Sequence, residues 1–272
     1  MDAKRSKRLW RQGAALGMVV AVALGPIGLL LLWSFAHSWF WPDLLPREWS
    51  ARSWRYVFSP SAGTLDSLGV SAAIALVVTG LGLLVGWPAA RVMALHEFWG
   101  KRLLLFMLLL PVLAPPLAST MGMHALFLRY GLADTAMGVV LAHLVPCVPY
   151  TILVLTGSFS RLDTDLEAQA RSLGATRFQT WRHVTLPSIL PGVAVAGSFA
   201  FLISWSQYLS TLIIGGGQVM TLPLSLVAFQ RSGDESLSAA LSLVFLAPAV
   251  VVFLIVGRML IETQRGTMAA TK

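Results

Sequence analysis

Hydrophobic positions along this chain gather into six long runs, at 14–36, 67–90, 103–128, 137–158, 189–214 and 237–257. No Lys, Arg, Asp or Glu falls inside any of them. A helix needs about 20 such residues to cross the hydrocarbon core of a bilayer, and each run supplies that many. The pattern predicts an all-α, polytopic membrane protein with six transmembrane helices in a single membrane domain over 1–272. Two polar stretches are longer than simple turns, 37–66 and 159–188. The first carries Pro, Trp and Arg without a clear period. The second is patterned throughout.

Composition agrees with the pattern. Apolar residues make up 56% of the 272 and charged residues 12%, too little polar surface to clothe a soluble domain of this size. The one cysteine, Cys147, lies within an apolar run. It reads as a small buried residue and excludes an intrachain disulfide or a multi-cysteine metal site. No metal site is expected. The first run follows Lys4, Arg5, Lys7, Arg8 and Arg11, as the core of a signal peptide would. However, its 23 residues exceed the about 7–15 of a cleaved signal, and Trp39, Phe40 and Trp41 follow where small residues are wanted. It reads as a retained helix.

The net charge of +8 could point to nucleic acid or to a membrane, and its placement decides. Alternate sides of the six runs hold unequal numbers of Lys and Arg. Fifteen lie on the side of the N-terminus, Arg91, Lys101, the 159–188 loop and the C-terminus. Five lie on the other, Arg47, Arg52, Arg55, Arg129 and Arg231. The positive-inside rule makes the richer side cytoplasmic, with both termini there. The charge is spread over four segments rather than one patch, so no nucleic-acid partner is expected. Trp10, Trp33, Trp39, Trp41, Trp87 and Trp99 fall near the ends of runs, where an indole can sit half in lipid. Trp205 is mid-run and does not fit.

The 159–188 loop reads as two short helices. Leu162, Leu166, Ala170 and Leu173 recur at steps of four, four and three, one face of a helix. Asp163 and Asp165 stand at its start, where the helix dipole favours carboxylates, and Gly174 follows as a helix-ending residue. Thr176 and Gln179 then form a capping box. Phe178, Trp181 and Val184 share a face, and Pro187 stops the run. Such a pair either lies on lipid headgroups or docks as a knob into a soluble partner.

The spacing of this loop resembles that of the permease subunits of type I ABC importers. Their pattern is Glu-Ala-Ala, three residues, Gly, nine residues, Ile, one residue, Leu-Pro. Here Ala168-Gln169-Ala170 precedes Arg171-Ser172-Leu173 and Gly174, and nine residues later come Val184, Thr185 and Leu186-Pro187. The glutamate position holds Ala168, with Glu167 one residue earlier. The resemblance covers roughly 66–258 as a core of five helices, with 14–36 as an added N-terminal helix, in a bacterial inner-membrane, multi-pass protein. It implies an ATPase-coupling set of Glu167, Ala168, Ala170, Arg171, Gly174, Phe178, Trp181, Leu186 and Pro187. It further implies two separate ATPase subunits that bind ATP and Mg, an extracytoplasmic solute-binding protein, and a second permease. Spans five and six resemble permeases for polyamines, thiamine, iron and phosphonates, which often come as unlike pairs, so the second permease is expected to be non-identical. The chain itself needs no cofactor and no catalytic residue: it has no Gly-x-x-x-x-Gly-Lys-Ser/Thr loop, His-Glu-x-x-His or Gly-x-Ser-x-Gly. The rival reading is an ion-coupled secondary transporter, which ordinarily needs ionisable residues within the membrane. His124 and His143 are the histidines that the runs contain, the side chain whose ordinary charge change falls nearest neutrality.

Span five carries Gly197, Ala200, Ser204, Gln207, Tyr208 and Thr211 on one helical face, turning from small to polar. Polar groups in hydrocarbon need partners or water. They either bond to neighbouring helices or line a path for a small polar solute, with Ser119, Thr120 and His124 of a proline-kinked span three. In the polyamine permeases this region resembles, the positions of Ser206 and Gln207 are often acidic. Neutral residues there speak against a polyamine. Gly13-x-x-x-Gly17 and Gly82-x-x-x-Gly86 have the spacing that lets helix backbones approach.

Overall fold

The computed structural model of the chain describes residues 17–18, 21–22, 24–39, 42–43 and 45–270, with side chains through residue 262 except that of residue 38. Lys4, Arg5, Lys7, Arg8, Trp10, Arg11, Gly13, Phe40, Trp41, Lys272 and the first residues of the run 14–36 lie outside the described residues. The chain divides into two units, Met1–Asp66 with Ser225–Pro248, and Ser67–Leu224 with Ala249–Lys272.

In the first unit, helix α1 (Leu24–Ser34) leads into a two-stranded antiparallel hairpin, β1 (Ala36–Ser38) and β2 (Glu48–Trp49), and a short helix α2 (Arg52–Val57). This hairpin is the departure from an all-helical chain among the described residues. The described parts of the patternless 37–66 stretch thus carry regular elements, and α2 is held by polar contacts with the start of the last helix. Arg52 pairs with Asp234, and the Ser53 and Ser236 hydroxyls bond at 2.7 Å. Tyr56 meets Phe229 edge-on.

In the second unit, α3 (Thr64–Leu95) and α6 (Ala136–Phe159) are unbroken and long enough to span a bilayer. Around α6 lies most of the buried core, with Val139, Ala142, Cys147, Leu155 and Phe159 closed off. Outward residues such as Leu76, Leu84 and Val85 of α3 stay exposed, as lipid-facing side chains of a membrane helix do. Glycines permit the close approach. A Cβ at Gly86 would sit 2.7 Å from Thr151 Cγ2, so the Gly82–Gly86 pair seats α3 against α6.

The third run is not one kinked helix. It is α4 (Lys101–Leu113) and α5 (Pro116–Tyr130), bent by 97°. The cause is Pro115-Pro116: each proline drives the residue before it out of the helical region, and Ala114 is extended at ψ 142°. Thr120 Oγ1 donates back to the Pro116 carbonyl in the first turn of α5, at 2.7 Å.

The fifth run departs further. After α7 (Thr164–Ser172), the short α8 (Arg177–Thr180) runs without a stop through a π-helical turn (Trp181–Thr185) into α9 (Leu186–Trp205). Pro187 therefore does not end the loop helix. It falls in the first turn after the π segment, where its missing N–H costs little. Helix α9 then ends at Trp205, and α10 (Leu209–Ile214) resumes after Ser206–Tyr208. The Ser-, Gln- and Thr-rich sequence here offers side chains that compete for the backbone. Ser206 Oγ donates to Ile203 O and Thr211 Oγ1 to Gln207 O. Trp205 is buried at this break and stacks on Phe201, which accounts for an indole so far from the interface. The chain closes with α11 (Leu222–Arg231) and α12 (Glu235–Ala270). Among the described residues four helices are long and apolar enough to span on their own, and the bent α4–α5 pair makes a fifth if taken together. Helix α1 is apolar and shorter in its described part.

Candidate functional site

The α7–α8 loop is built as a small rigid knob. Asp163 caps α7 by accepting from Asp165 N at 2.9 Å. The helix closes in a double bond pattern, Ala175 N to Ala170 O and Gly174 N to Arg171 O, with Gly174 at φ +90°. This is the Schellman arrangement, which requires a left-handed residue at that point. The capping box is complete in both directions, with Thr176 Oγ1 accepting from Gln179 N and Gln179 Oε1 accepting from Thr176 N.

The face that α7 buries differs from the expected apolar stripe. Leu166 is exposed, and the enclosed residue is Glu167, 2% accessible. Its carboxylate takes both arms of Arg91 from the end of α3, at 2.6 and 3.0 Å, and the Thr185 hydroxyl at 2.5 Å, with Arg171 3.5 Å away. The hydrogen bonds from Arg91 above all, then that from Thr185 and the charge of Arg171, hold the Glu167 carboxyl below the ordinary carboxylate range against its burial. A hydrophobic stripe could be read by period, but a glutamate that must pair across 76 residues of sequence could not. Arg91 and Thr185 belong to this cluster and were not singled out for the loop by sequence reasoning.

A line of aromatic rings runs beside this cluster. Phe159 meets Trp87 edge-on at 5.3 Å, Trp87 meets Trp181 at 5.9 Å, and Trp181 stacks on Phe178 at 5.8 Å. Trp87 thus serves internal packing rather than an interfacial belt. Trp181, 38% exposed, is a buttress. The side chains that project are Phe178 at 63% and Leu173 at 89%, the latter expected on the buried face. Ala168, Arg171, Gly174 and Pro187 are exposed on the loop, while Ala170 and Leu186 are half-buried.

The second constellation lies at the α9–α10 break. Ser204 and Thr211 are closed off and both bond to His143 of α6, at 2.9 Å to Nδ1 and 3.0 Å to Nε2. Gly197 packs against Leu83 and Thr79, and Ala200 is buried beside Cys147. Four residues of the expected face are thus packed against neighbouring helices. Gln207 and Tyr208 sit half-exposed in the break itself, off the line of α9. On α5, Thr120 is buried, and His124 is half-buried with Nδ1 lacking a hydrogen-bond partner.

Comparison with known proteins bears on the family and the fold. Residues 82–262 match the family described as binding-protein-dependent transport system inner membrane component. The chain is 34% identical to the molybdenum transport system permease protein ModB of Mycobacterium tuberculosis, over 76% of this chain and 83% of that one. It is 28% identical to the trehalose transport system permease protein SugB of the same species, covering 88% and 89%. The spermidine/putrescine permease PotC of Haemophilus influenzae is 26% identical, covering 90% and 95%. Among solved structures, a chain of a bacterial ABC transporter that imports alginate superposes with a TM-score of 0.66 at 18% identity, covering 93% and 97%, which shows a shared fold. With more than half its length matched and a relative at this identity, the chain belongs to the binding-protein-dependent transport system inner membrane components, the multi-pass permease subunits of ABC importers.

Proposed function

We propose that this permease carries a small polar solute and is driven through α7–α8, which docks into separate ATPase subunits. The observation that carries the reading is the knob itself. Phe178 and Leu173 project from a loop whose helix ends at Asp163, Gly174 and Thr176 are all capped and whose base is ion-paired to α3. Large apolar side chains held out on a rigid mount are what an interface anchor looks like. On this reading two ATPase subunits hold ATP and Mg, hydrolysis takes place there and not in this chain, and closure of the pair draws the loops together. A solute-binding protein outside delivers the cargo, and a non-identical second permease completes the path. Six spans follow from the apolar runs and cytoplasmic termini from the charge count, which also puts 159–188 on the ATPase side.

The double variant Leu173→Ala, Phe178→Ala tests the docking. It is expected to insert normally and to lose the ATPase on purification, since truncating two interface anchors costs about 2 kcal/mol or more. Full retention of the ATPase together with normal transport would assign the knob to the lipid surface instead.

Cargo is read mainly by the receptor, and the permease contacts it in passing through Gln207 and Tyr208. The relatives' names span molybdenum, trehalose and spermidine/putrescine, so family membership leaves cargo open. Molybdate and trehalose are the first probes to try in an uptake assay. With the cargo so found, Gln207→Leu is expected to lower uptake several-fold while ATPase assembly is unchanged. Unaltered uptake in both Gln207→Leu and Tyr208→Leu would return the break to simple helix packing.

A further inference from the structure

A helix broken in the middle of a membrane protein has two halves that must be kept in place. Three residues separate α9 from α10, Ser206, Gln207 and Tyr208, and no proline stiffens them. The hydrogen bonds across the gap can be assigned a direction. Thr211 has one hydroxyl proton, and it goes to the Gln207 carbonyl at 2.9 Å. Its oxygen, 3.0 Å from His143 Nε2, must then accept, so Nε2 carries the hydrogen. An imidazolium whose only side-chain partners are hydroxyls is costly inside a membrane, so Nδ1 is the bare nitrogen and accepts the Ser204 O–H at 2.9 Å. The result is one unidirectional chain: Ser204 to His143 to Thr211 to the Gln207 carbonyl. It starts in the last turn of α9, passes through the fully buried ring on α6, and ends in the break.

We propose that His143 is a positioning residue for transport, a splint that fixes α9 and α10 to α6 and so holds Gln207 and Tyr208 still in the gap. Its consequence for transport rests on the path reading above, but the splint itself does not. The ring suits the task because donor and acceptor lie on opposite edges of a rigid plane, and each reaches one half of the helix. Ser210 Oγ adds a weaker local tie to Gln207 Oε1 at 3.3 Å.

The test needs no cargo. In the full chain in membrane vesicles, with Cys147→Ala as background, Gln207→Cys is reacted with a charged methanethiosulfonate, and Ser198→Cys within α9 serves as the control. Adding His143→Leu, or the milder Thr211→Val, is expected to raise the reaction rate of Gln207→Cys about tenfold, as loss of one buried hydrogen-bond partner loosens a local opening equilibrium. His143→Gln, which keeps a donor near the Nε2 position, is expected to stay within about twofold of the parent. The proposal is overturned if Thr211→Val and His143→Leu both leave the rate unchanged. It is equally overturned if the Ser198→Cys control accelerates as much, or if His143→Gln behaves as His143→Leu. A rate effect with no transport defect in either Gln207→Leu or Tyr208→Leu would remove the path reading and leave the splint standing.

Discussion

Replacing Glu167 with Ala is expected to detach the α7–α8 knob from the membrane helices while leaving insertion intact. The carboxylate is the one group that touches Arg91 on α3, Thr185 in the π turn and Arg171 on α7 at once. Its loss leaves a guanidinium without its acceptor and a buried hydroxyl without one. Breaking a buried ion pair from one side costs about 3–5 kcal/mol. The Arg91 side chain is 32% exposed, and water can recover part of that, so about 2–3 kcal/mol of local stability is the expected loss. Tryptic cleavage within the loop, at Arg171, Arg177 or Arg182, reports that opening directly. It should rise on the order of 30-fold or more at an ATPase-free permease, the factor that corresponds to about 2 kcal/mol. Cleavage at the parental rate would show that the cluster is not what holds the knob.

The same cluster sets a pH dependence with a definite sign. The native Glu167 carboxyl lies below its ordinary value, mainly because Arg91 donates to it. A depressed carboxyl contributes stability that is complete above the unfolded value and is lost as pH falls through the native one. The parent loop should therefore hold its protection from neutral pH down into the acid range. Glu167→Gln, uncharged throughout, should show at neutral pH the cleavage that the parent shows only in acid.

Much of this protein was legible as pattern. The runs that became α3 and α6 were bounded within a few residues, because an apolar stretch without charges has no stable place outside lipid. The turn chemistry of the loop was legible as well, since Asp163, Gly174 and the Thr176–Gln179 pair act within four residues of themselves. What pattern could not supply were contacts distant in sequence. Leu173 sits at the right period for a buried stripe and points out, because Glu167 finds Arg91 and takes the inner face instead. Ser204 and Thr211 have the look of a lining, yet a histidine on another helix consumes both. Pro187 reads as a stop, but the π turn before it had already relaxed the ladder it would have broken. The two broken helices divide along the same line. Pro115-Pro116 announced its bend, though not its size, whereas the α9–α10 break carries no Pro or Gly and rests on Ser and Thr side chains bonding to nearby carbonyls.

Gly174→Pro is expected to abolish ATPase association, and a graded series at that position separates conformation from contact. An added Cβ at Gly174 meets nothing within 4 Å, so steric crowding plays no part. The demand is on the backbone alone, at φ +90°. Alanine keeps the N–H that donates to Arg171 O at 3.0 Å and bears only the left-handed penalty, about 1–2 kcal/mol. Proline loses that bond and is locked near φ −65°, about 3 kcal/mol or more in total. Asparagine tolerates left-handed backbone better than alanine does. Retention of the ATPase on purification should therefore fall in the order Gly, Asn, Ala, Pro, with membrane insertion constant across the series. That order is specific to a knob whose two helices must meet at a fixed angle. If the loop merely lay on lipid, each short helix could settle on the surface independently of the other, and the parent and all three variants would bind alike. Proline at position 174 with undiminished ATPase association would show that the angle between α7 and α8 does not matter to coupling, whatever Leu173 and Phe178 contribute.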